Sequence, residues 1–272
     1  MIPITLSHVS FSYPGGVVAL RDISLAIAPG ETVALIGQNG AGKTTLARQL
    51  NGLLQPTSGT VLIGDWETCT HTVAQLARRV GYVFQHPEHQ LFKRTVRDEA
   101  LFGPRNLGFA PDRVQELAAA ALKATQLDGL ADSHPHDLMP ALRKRVALAS
   151  VLAMDTPILV LDEPTMGQDA AGLAVIGAIL AELKAAGRTV IMISHDIDFC
   201  AETCERLIVL GGGVALLDGP PAAVFNRPDL LAQTSVELPQ LTRLAERLRL
   251  PLAWQAAPLL DELAVRAGRA RR

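Results

Sequence analysis

The chain has 272 residues, of which 49% are hydrophobic and 4% are aromatic, so one large domain or two of ordinary size would have a core built mainly from aliphatic side chains. The formal net charge of −2 at pH 7 excludes a strong overall attraction to nucleic acid or to an anionic bilayer. No apolar run approaches the roughly 18 residues that cross a membrane, and no basic segment leads into an apolar stretch at the N-terminus, so we expect a cytosolic chain.

Short apolar runs alternate with helical stretches, a pattern that predicts an α/β fold with a largely parallel sheet flanked by helices. Two opening strands, joined by a turn at Pro14-Gly15-Gly16, precede a compact buried strand and a helix that starts near Gly42. Further buried strands are expected later in the chain. The strands are predicted at residues 4–13, 23–27, 32–36, 80–84, 158–161 and 189–193.

The middle of the chain, from about residue 86 to residue 154, has a mostly helical pattern. Residues 112–125 are rich in Ala and Leu, and residues 143–152 repeat Val, Leu and Ala at helical spacing. We interpret this region as a helical subdomain inserted between two strands of the sheet.

A C-terminal extension follows a predicted strand at 214–217 and the Pro220-Pro221 pair. We divide the chain into a main domain, residues 1–228, and a helical extension, residues 229–272. The extension contains an amphipathic helix, because its apolar residues follow the spacing i, i+3, i+4, i+7. That apolar face must pack against a second subunit or against the main domain of the same chain. Its residues are Leu241, Leu244, Ala245 and Leu248.

The segment from residue 37 to residue 44, Gly-Gln-Asn-Gly-Ala-Gly-Lys-Thr, is a full match to the phosphate-binding loop pattern, placed after a predicted strand and at the start of a helix. Glycines let backbone N–H groups curl around phosphates, and the helix N-terminus adds a favourable dipole. Lys43 is predicted to reach the β- and γ-phosphates of a nucleotide, and Thr44 to bind Mg²⁺. The predicted nucleotide-binding residues here are Gly37, Asn39, Gly40, Ala41, Gly42, Lys43, Thr44 and Thr45.

Two further strands are predicted to deliver reactive groups to the same edge of the sheet. The strand at 158–161 ends in the carboxylates Asp162 and Glu163, and His195 follows the strand at 189–193. Asp162 suits an outer-shell contact to Mg²⁺, and Glu163 is placed to orient or deprotonate an attacking water. His195 can donate to a γ-phosphate. The alternatives are that the two carboxylates only form a solvated strand end and that His195 is a packing residue. The position of these residues at the same sheet edge favours the catalytic interpretation over both alternatives.

Together these motifs resemble the ATP-binding-cassette family from the N-terminus to about residue 225. The resemblance implies a nucleotide-binding cassette with a mixed sheet that binds and hydrolyses ATP with Mg²⁺. It also implies that Tyr13 stacks on adenine, with a plain core tyrosine as the alternative, and that Gln85 touches Mg²⁺, takes part in catalysis and signals to a membrane partner. Gly167-Gln168-Asp169 resembles the loop that crosses the family's dimer interface, with Gln168 where leucine is common.

Within this family the chain resembles the ATPase subunits of energy-coupling-factor importers, which take up vitamins or transition-metal ions. The resemblance implies a second ATPase subunit, integral-membrane coupling and substrate-binding subunits, no nucleic-acid partner, and a peripheral position at the cytoplasmic face of the cell membrane. The resembled motif is commonly acidic or polar at the positions of His86 and His89, so ordinary loop residues are favoured there over metal ligands. The segments that carry the resemblance are 84–92, 95–96, 102–104 and 238–241.

The largest departure from the family lies at residues 138–142, Leu-Met-Pro-Ala-Leu, where the resembled proteins carry the signature Leu-Ser-Gly-Gly-Gln before a helix. In the family this segment completes the ATP site of the opposite subunit with a serine hydroxyl and glycine N–H groups. Met139 has no hydroxyl, Pro140 has no N–H, and Ala141 adds a Cβ. We therefore predict a weak or inactive signature. A homodimer would have two impaired sites, whereas a pair with an intact cassette would keep one good site on this chain's phosphate loop.

Two other classes of protein share the phosphate loop: soluble cassette ATPases that act on ribosomes or DNA, and phosphoryl-transferring kinases. Soluble translation cassettes usually carry two cassettes in one chain, and DNA-repair cassettes carry long coiled coils; this sequence has neither. A kinase would not need Gln85 together with the helical subdomain. The sequence therefore favours the importer ATPase.

Overall fold

The computed structural model describes residues 2–234 and 236–270. The strands of these residues are β1 (Ile4–Ser12), β2 (Val18–Ile27), β3 (Thr32–Ile36), β4 (Ser58–Ile63), β5 (Trp66–Glu67), β6 (Val80–Val83), β7 (Ile158–Asp162), β8 (Thr189–Ile193), β9 (Arg206–Gly211) and β10 (Val214–Gly219). They form a four-stranded antiparallel sheet in the order β2-β1-β4-β5 and a six-stranded sheet in the order β10-β9-β3-β8-β7-β6. The larger sheet is mixed, because only the edge strand β10 runs antiparallel to its neighbour.

The strands β3, β8 and β7, and the edge strand β6 beside them, are buried at every position. Successive side chains of a strand point to opposite faces, so these runs, apolar almost throughout, serve two cores at once. In β3, Ala34 and Ile36 join the core shared with the helices, whereas Val33 and Leu35 join the core shared with the smaller sheet. This double coverage confirms the predicted α/β class.

The strand boundaries differ from the predicted ones mainly at the start of the chain. β2 begins at Val18 rather than at residue 23, because Val18 pairs with Ser12 at the end of β1. β4, β5 and β9 were not predicted. The run that forms β9 was overlooked although it is apolar, and β4 contains Ser58, Gly59 and Thr60, which weaken its apolar alternation.

The helices of the described residues are α1 (Lys43–Leu50), α2 (Val73–Leu76), α3 (Val96–Leu107), α4 (Pro111–Ala124), α5 (Pro140–Leu152), α6 (Ala170–Ala185), α7 (Ile197–Thr203), α8 (Pro221–Phe225), α9 (Pro228–Leu231), α10 (Gln240–Arg247) and α11 (Ala256–Ala270). Short 3₁₀ turns lie at Thr68–Thr70, Pro87–His89, Asp128–Leu130, Pro135–Asp137 and Ala232–Thr234. Across residues 2–234 and 236–270, no helix combines the length and the apolar character that spanning a membrane requires.

The chain between β6 and β7 contains α3, α4 and α5, which pack against one another. Local sequence explains their boundaries. The Thr95 side chain accepts the N–H of Asp98 and caps α3, which ends at Gly108 in the left-handed conformation (φ 84°). Pro111 and Pro140 occupy the first turns of α4 and α5, where a missing N–H costs nothing.

The C-terminal extension contacts the main domain of its own chain. Trp254 packs edge-on against Phe225, with ring centroids 5.9 Å apart, and the Gln240 N–H donates to Asp198 Oδ1 at 2.8 Å. The predicted apolar stripe is only partly buried. Ala245 of α10 packs within the extension, whereas Leu244 and Leu248 are 43% and 36% exposed.

Candidate active site

The loop between β3 and α1 has a backbone that only glycine can adopt at two positions. Gly37 has φ 147°, and a Cβ there would lie 2.2 Å from the carbonyl oxygen of Leu210. Gly42 has φ 103°, and its Cβ would lie 2.6 Å from the carbonyl oxygen of Ala19. Because α1 begins at Lys43, the N–H groups of its first turn have no partners within the helix. The loop and the helix end therefore form an anion-binding cradle.

Lys43 lies inside this cradle and is largely buried. Its Nζ donates to the carbonyl oxygens of Gly37 and Gln38 at 2.7 and 3.0 Å. Burial lowers the pKa of Lys43, while the nearby carboxylates of Glu163 and Asp162 oppose that shift. The ammonium therefore occupies the place towards which the loop directs its donors, ready to exchange carbonyl oxygens for phosphate oxygens.

The carboxylate that ends β7 is held by two hydroxyl groups. Asp162 Oδ1 accepts the Thr44 hydroxyl at 3.3 Å, and Oδ2 accepts the Tyr82 hydroxyl at 3.0 Å. Burial raises the pKa of Asp162, and these two hydrogen bonds oppose the rise. Burial and the charge of Asp162 also raise the pKa of Tyr82, which keeps it a donor. Sequence reasoning missed Tyr82, although a tyrosine in a short buried strand indicates a hydrogen-bond partner.

The side chains near Thr44 fit Mg²⁺. The Thr44 hydroxyl and the Asp162 carboxylate are in contact, and Gln85 lines the cavity beside Thr44. All three side chains offer oxygen atoms, which are the donors that Mg²⁺ prefers. His86 and His89 lie side by side, with ring centroids 5.6 Å apart. Among residues 2–234 and 236–270, no group of three or more His, Cys, Asp and Glu side chains is arranged to hold a metal ion.

Glu163 and His195 form a pair at the ends of adjacent strands. Glu163 Oε2 accepts the backbone N–H of His195 at 3.3 Å, and Oε1 lies 3.2 Å from His195 Nε2. Burial raises the pKa of Glu163 to about 7, partly opposed by the His195 N–H and the charge of Lys43. Burial and Lys43 lower the pKa of His195. Glu163 is therefore poised near neutral pH, as a base requires.

Most of the predicted site residues converge on one cavity of about 410 Å³. Tyr13 stands at its edge, where its hydroxyl contacts Thr45 Oγ1 at 2.9 Å and its ring meets Phe11 edge-on. Gly37 lies behind the loop and Asp162 lies beneath Thr44, so these two do not line the cavity. Sequence reasoning missed the apolar neighbours of Tyr13. The lining residues are Tyr13, Val17, Val18, Ala19, Asn39, Gly40, Ala41, Gly42, Lys43, Thr44, Thr45, Gln85, Glu163, Ile193 and His195.

The segment at residues 138–142, for which the sequence predicts a weak signature, lies outside this cavity. Met139 precedes α5 in an extended conformation, makes no side-chain cap and is 71% exposed. The first turn of α5 is bound to the loop after β7 instead, since Gln168 Nε2 donates to the Ala141 carbonyl oxygen at 2.9 Å. The segment thus presents a methionine side chain and a proline to whatever faces it.

Known proteins share both the fold and much of the sequence. The sequence model of the ABC transporter family matches residues 20–166. The chain is 42% identical over 250 residues to the energy-coupling factor transporter ATP-binding protein EcfA of Methanothermobacter thermautotrophicus, covering 91% of this chain and 80% of that protein.

Two solved structures are similar as well. One is cbiO1 of Clostridium perfringens, part of the ABC transporter complex cbiONQ, with 34% identity and a TM-score of 0.75 over 89% of this chain and 98% of that one. The other is a dimeric ATP-binding cassette in a post-hydrolysis state bound to ADP and Pi, with 27% identity and a TM-score of 0.73 over 80% of this chain and 98% of that one. The chain belongs to the ABC transporter family, as an ATP-binding cassette ATPase that resembles the energy-coupling-factor type.

Proposed function

We propose that this chain is the ATP-binding and hydrolysing subunit of an energy-coupling-factor type membrane importer. The observation that carries the proposal is the convergence of the phosphate loop, Glu163, Gln85 and His195 on one cavity, with Asp162 bound to Thr44 beneath it. These groups come from different strands, so the carboxyl edge of the sheet assembles them. The similarity to EcfA and to cbiO1 supports the importer class.

In the proposed reaction each group has a separate task. The loop N–H groups and Lys43 bind the β- and γ-phosphates of ATP, and Tyr13 stacks on the adenine. Glu163 orients or deprotonates the water that attacks the γ-phosphate, and His195 donates to that phosphate. Thr44, Asp162 and Gln85 would hold Mg²⁺, which neutralises charge on the β- and γ-phosphates when bound.

We also propose that the signature of this chain contributes little to catalysis. The segment offers neither the hydroxyl nor the glycine N–H groups that its relatives would use, and Met139 is the side chain it exposes. The second ATPase subunit is then required for one competent site, on the phosphate loop of this chain. A heterodimer with an intact cassette is the assembly that this favours, and its closing and reopening would drive the membrane subunits.

A surface formed by the segment that follows Gln85 in the chain has the chemistry of a contact with a membrane subunit. Phe92 is 61% exposed and meets Phe102 edge-on, with ring centroids 4.8 Å apart. The ammonium of Lys93 lies 4.8 and 4.4 Å from the two ring centroids. Buried Glu99 holds this loop by accepting the N–H groups of Phe92 and Lys93. We assign this aromatic and basic surface to an amphipathic helix with apolar and acidic residues, supplied by the coupling subunit.

The location, the cargo and the division of the chain follow from the same proposal. The chain would lie at the cytoplasmic face of the cell membrane, and the cargo would be a transition-metal ion or a vitamin bound by another subunit. The cassette would span residues 1–228, with the helical subdomain at about 86–154, and the extension residues 229–272. The placement of α3, α4 and α5 between β6 and β7 supports the insertion.

Purification of the tagged chain from detergent-solubilised membranes tests this proposal. We expect integral-membrane subunits in stoichiometric amounts, identified by mass spectrometry. Phe92→Asp should lower their recovery at least about tenfold, the effect of roughly 1.4 kcal/mol of lost binding free energy. Phe109→Asp, at an exposed phenylalanine outside this surface, is the matched control and should leave recovery unchanged. Recovery of ribosomes or DNA in place of membrane subunits would refute the importer assignment.

A further inference from the structure

Lys144 is a buried cation whose position none of the assigned roles explains. It lies in the second turn of α5 and is 4% exposed. Its Nζ donates to the backbone carbonyl oxygen of Glu163 at 2.5 Å. Burying an ammonium is costly unless it is paired and hydrogen-bonded, and the charges of Glu163, Asp162 and Glu88 favour it here. The burial of Lys144 is therefore best explained by its hydrogen bond to Glu163.

The partner is a residue with a strained backbone. Glu163 has φ 53°, in the left-handed region that residues with a Cβ avoid unless their surroundings hold them there. Its N–H donates to the carbonyl oxygen of Ile193 at 2.8 Å; its own carbonyl oxygen accepts from Lys144 at 2.5 Å and, at a longer 3.4 Å, from the backbone N–H of Met166. Because the next residue is Pro164, the peptide group after Glu163 has no N–H, and its carbonyl oxygen is its only hydrogen-bonding atom. Lys144 therefore orients that peptide plane.

A second hydrogen bond ties the same two segments together. Gln168, five residues after Glu163, donates to the carbonyl oxygen of Ala141 in the first turn of α5 at 2.9 Å. Arg143 of the same turn reaches Glu88, in the loop that follows Gln85, at 3.4 Å. The start of α5 is thus connected both to the loop that carries Glu163 and to the loop after Gln85. A displacement of α5 would move the carbonyl oxygen of Glu163 through Lys144.

We infer that Lys144 is a positioning residue for Glu163: it holds the strained backbone of that residue so that the carboxylate faces the cavity, and it links the position of α5 to hydrolysis. The inference rests on the proposed role of Glu163 in hydrolysis. Within residues 2–234 and 236–270, the hydrogen bond of Lys144 goes to Glu163 and not to the phosphate loop, so its effect should appear in turnover and not in ATP affinity.

Lys144→Met tests this in the full chain, because methionine has a similar length and is apolar but lacks the ammonium. Hydrolysis of γ-labelled ATP, an assay that detects slow turnover, should give a kcat of about one tenth of the unaltered chain's value or below. A loss of that size is within the range of a positioning effect. The KM and the ATP affinity by calorimetry should change less than about twofold, because uniform binding is intact. Lys123→Met, at an exposed lysine of α4, is the control and should have normal kcat. If Lys144→Met does not fold, Lys144→Leu, which also has no hydrogen-bond donor, takes its place with the same expected loss of kcat.

A double-mutant cycle separates positioning from general structural damage. If Lys144 acts through Glu163, then Lys144→Met should lower the residual rate of Glu163→Gln by less than about twofold, since residues that act as a unit are non-additive. A further tenfold loss in the double variant, or a normal kcat in Lys144→Met, would overturn the inference. An active Glu163→Gln single variant would instead overturn the proposed role of Glu163, which distinguishes the two failures.

Discussion

At the scale of single residues, burial gives Glu163 the properties of a base. Its carboxylate lies at the end of a fully buried strand and accepts a hydrogen bond from the backbone N–H of His195, while the neighbouring Asp162 is held by Tyr82 and Thr44. The pKa values of both carboxyls are raised by burial, but Asp162 has two hydroxyl donors that oppose the shift. The two adjacent carboxyls thus have different environments, which supports the separate tasks proposed for them.

Glu163→Gln should retain ATP binding and lose most of its turnover. The phosphate loop is intact in this variant, but the attacking water loses its base, which contributes about 10²- to 10⁴-fold in rate. Calorimetry would measure the ATP affinity and phosphate release the turnover. Glu182→Gln, at an exposed glutamate of α6, serves as the control. Vigorous hydrolysis by Glu163→Gln would remove this residue from its catalytic role.

The same substitution should change how stability depends on pH in the nucleotide-free chain. The pKa of Glu163 is about 7 when folded and 4.5 in an unfolded chain, so the folded state binds this proton more tightly. Glu163 contributes fully to the free energy of unfolding below pH 4.5. This contribution falls by roughly 3 kcal/mol as the pH rises to 7. Glu163→Gln should therefore raise the Tm at pH 8 clearly more than at pH 5. An equal Tm difference at both pH values would contradict the raised pKa.

At the scale of elements, the start of α5 holds the segment for which we propose a weak signature. Pro140 is a favourable first residue for a helix, so the helix forms although the signature residues are missing. Gln168 binds its first turn by a hydrogen bond to the Ala141 carbonyl, and Leu142 packs against the main core. The segment is therefore structurally sound even where it lacks phosphate donors.

Restoring Ser, Gly, Gly and Gln at positions 139–142 should raise ATP hydrolysis. Each restored donor in a transition-state site is worth about 10²-fold in rate, so a homodimer should gain at least about 100-fold. Met139→Ser alone is the partial control, since it supplies the hydroxyl without removing Pro140. Rates should be compared for the isolated chain and for its complex. Unchanged rates in both would show that the segment is not limiting.

At the scale of the whole molecule, the C-terminal extension has two faces. One face docks on the main domain through Trp254 and through Leu231, which is buried in the main core. The other face leaves Leu244 of α10, beside Arg243 and Arg247, and Leu248, directly after α10, exposed. The docking anchors the extension, and the exposed leucines remain available to a second ATPase subunit.

Leu244→Glu together with Leu248→Glu should weaken ATP-dependent dimerisation without unfolding the chain. These side chains are exposed in the single chain, so charge there costs little stability, whereas it would be buried in an interface. Light scattering in the presence of ATP, on the Glu163→Gln background to slow hydrolysis, measures the dimer. Leu260→Glu on α11, also exposed, is the control. Normal dimerisation by the double leucine variant would place the interface elsewhere.

Deleting the chain after Arg227 should also lower the Tm, because Trp254 would be lost.

Much of the fold and the site could be predicted from local patterns. The phosphate loop needs consecutive residues in a fixed order, so its pattern can be recognised in the sequence. The strands at 32–36 and 189–193 are short apolar runs, which a local pattern also predicts. β4 and β5 were harder to predict, because β4 begins with Ser58, Gly59 and Thr60 and β5 has only two residues. Which residues of α10 are buried depends on where the extension docks, and the periodicity of α10 does not specify that place.

The amino-acid sequence by itself determined the family and the phosphate-loop motif, and it supplied the candidates for the reactive groups, because each depends on neighbouring residues or on the residue that ends a strand. Only the tertiary structure decided which distant side chains support them. Tyr82 lies 80 residues from the carboxylate it holds, and Lys144 lies 19 residues before the carbonyl it binds. These contacts depend on strand order and helix packing, which bring together residues that no local spacing relates.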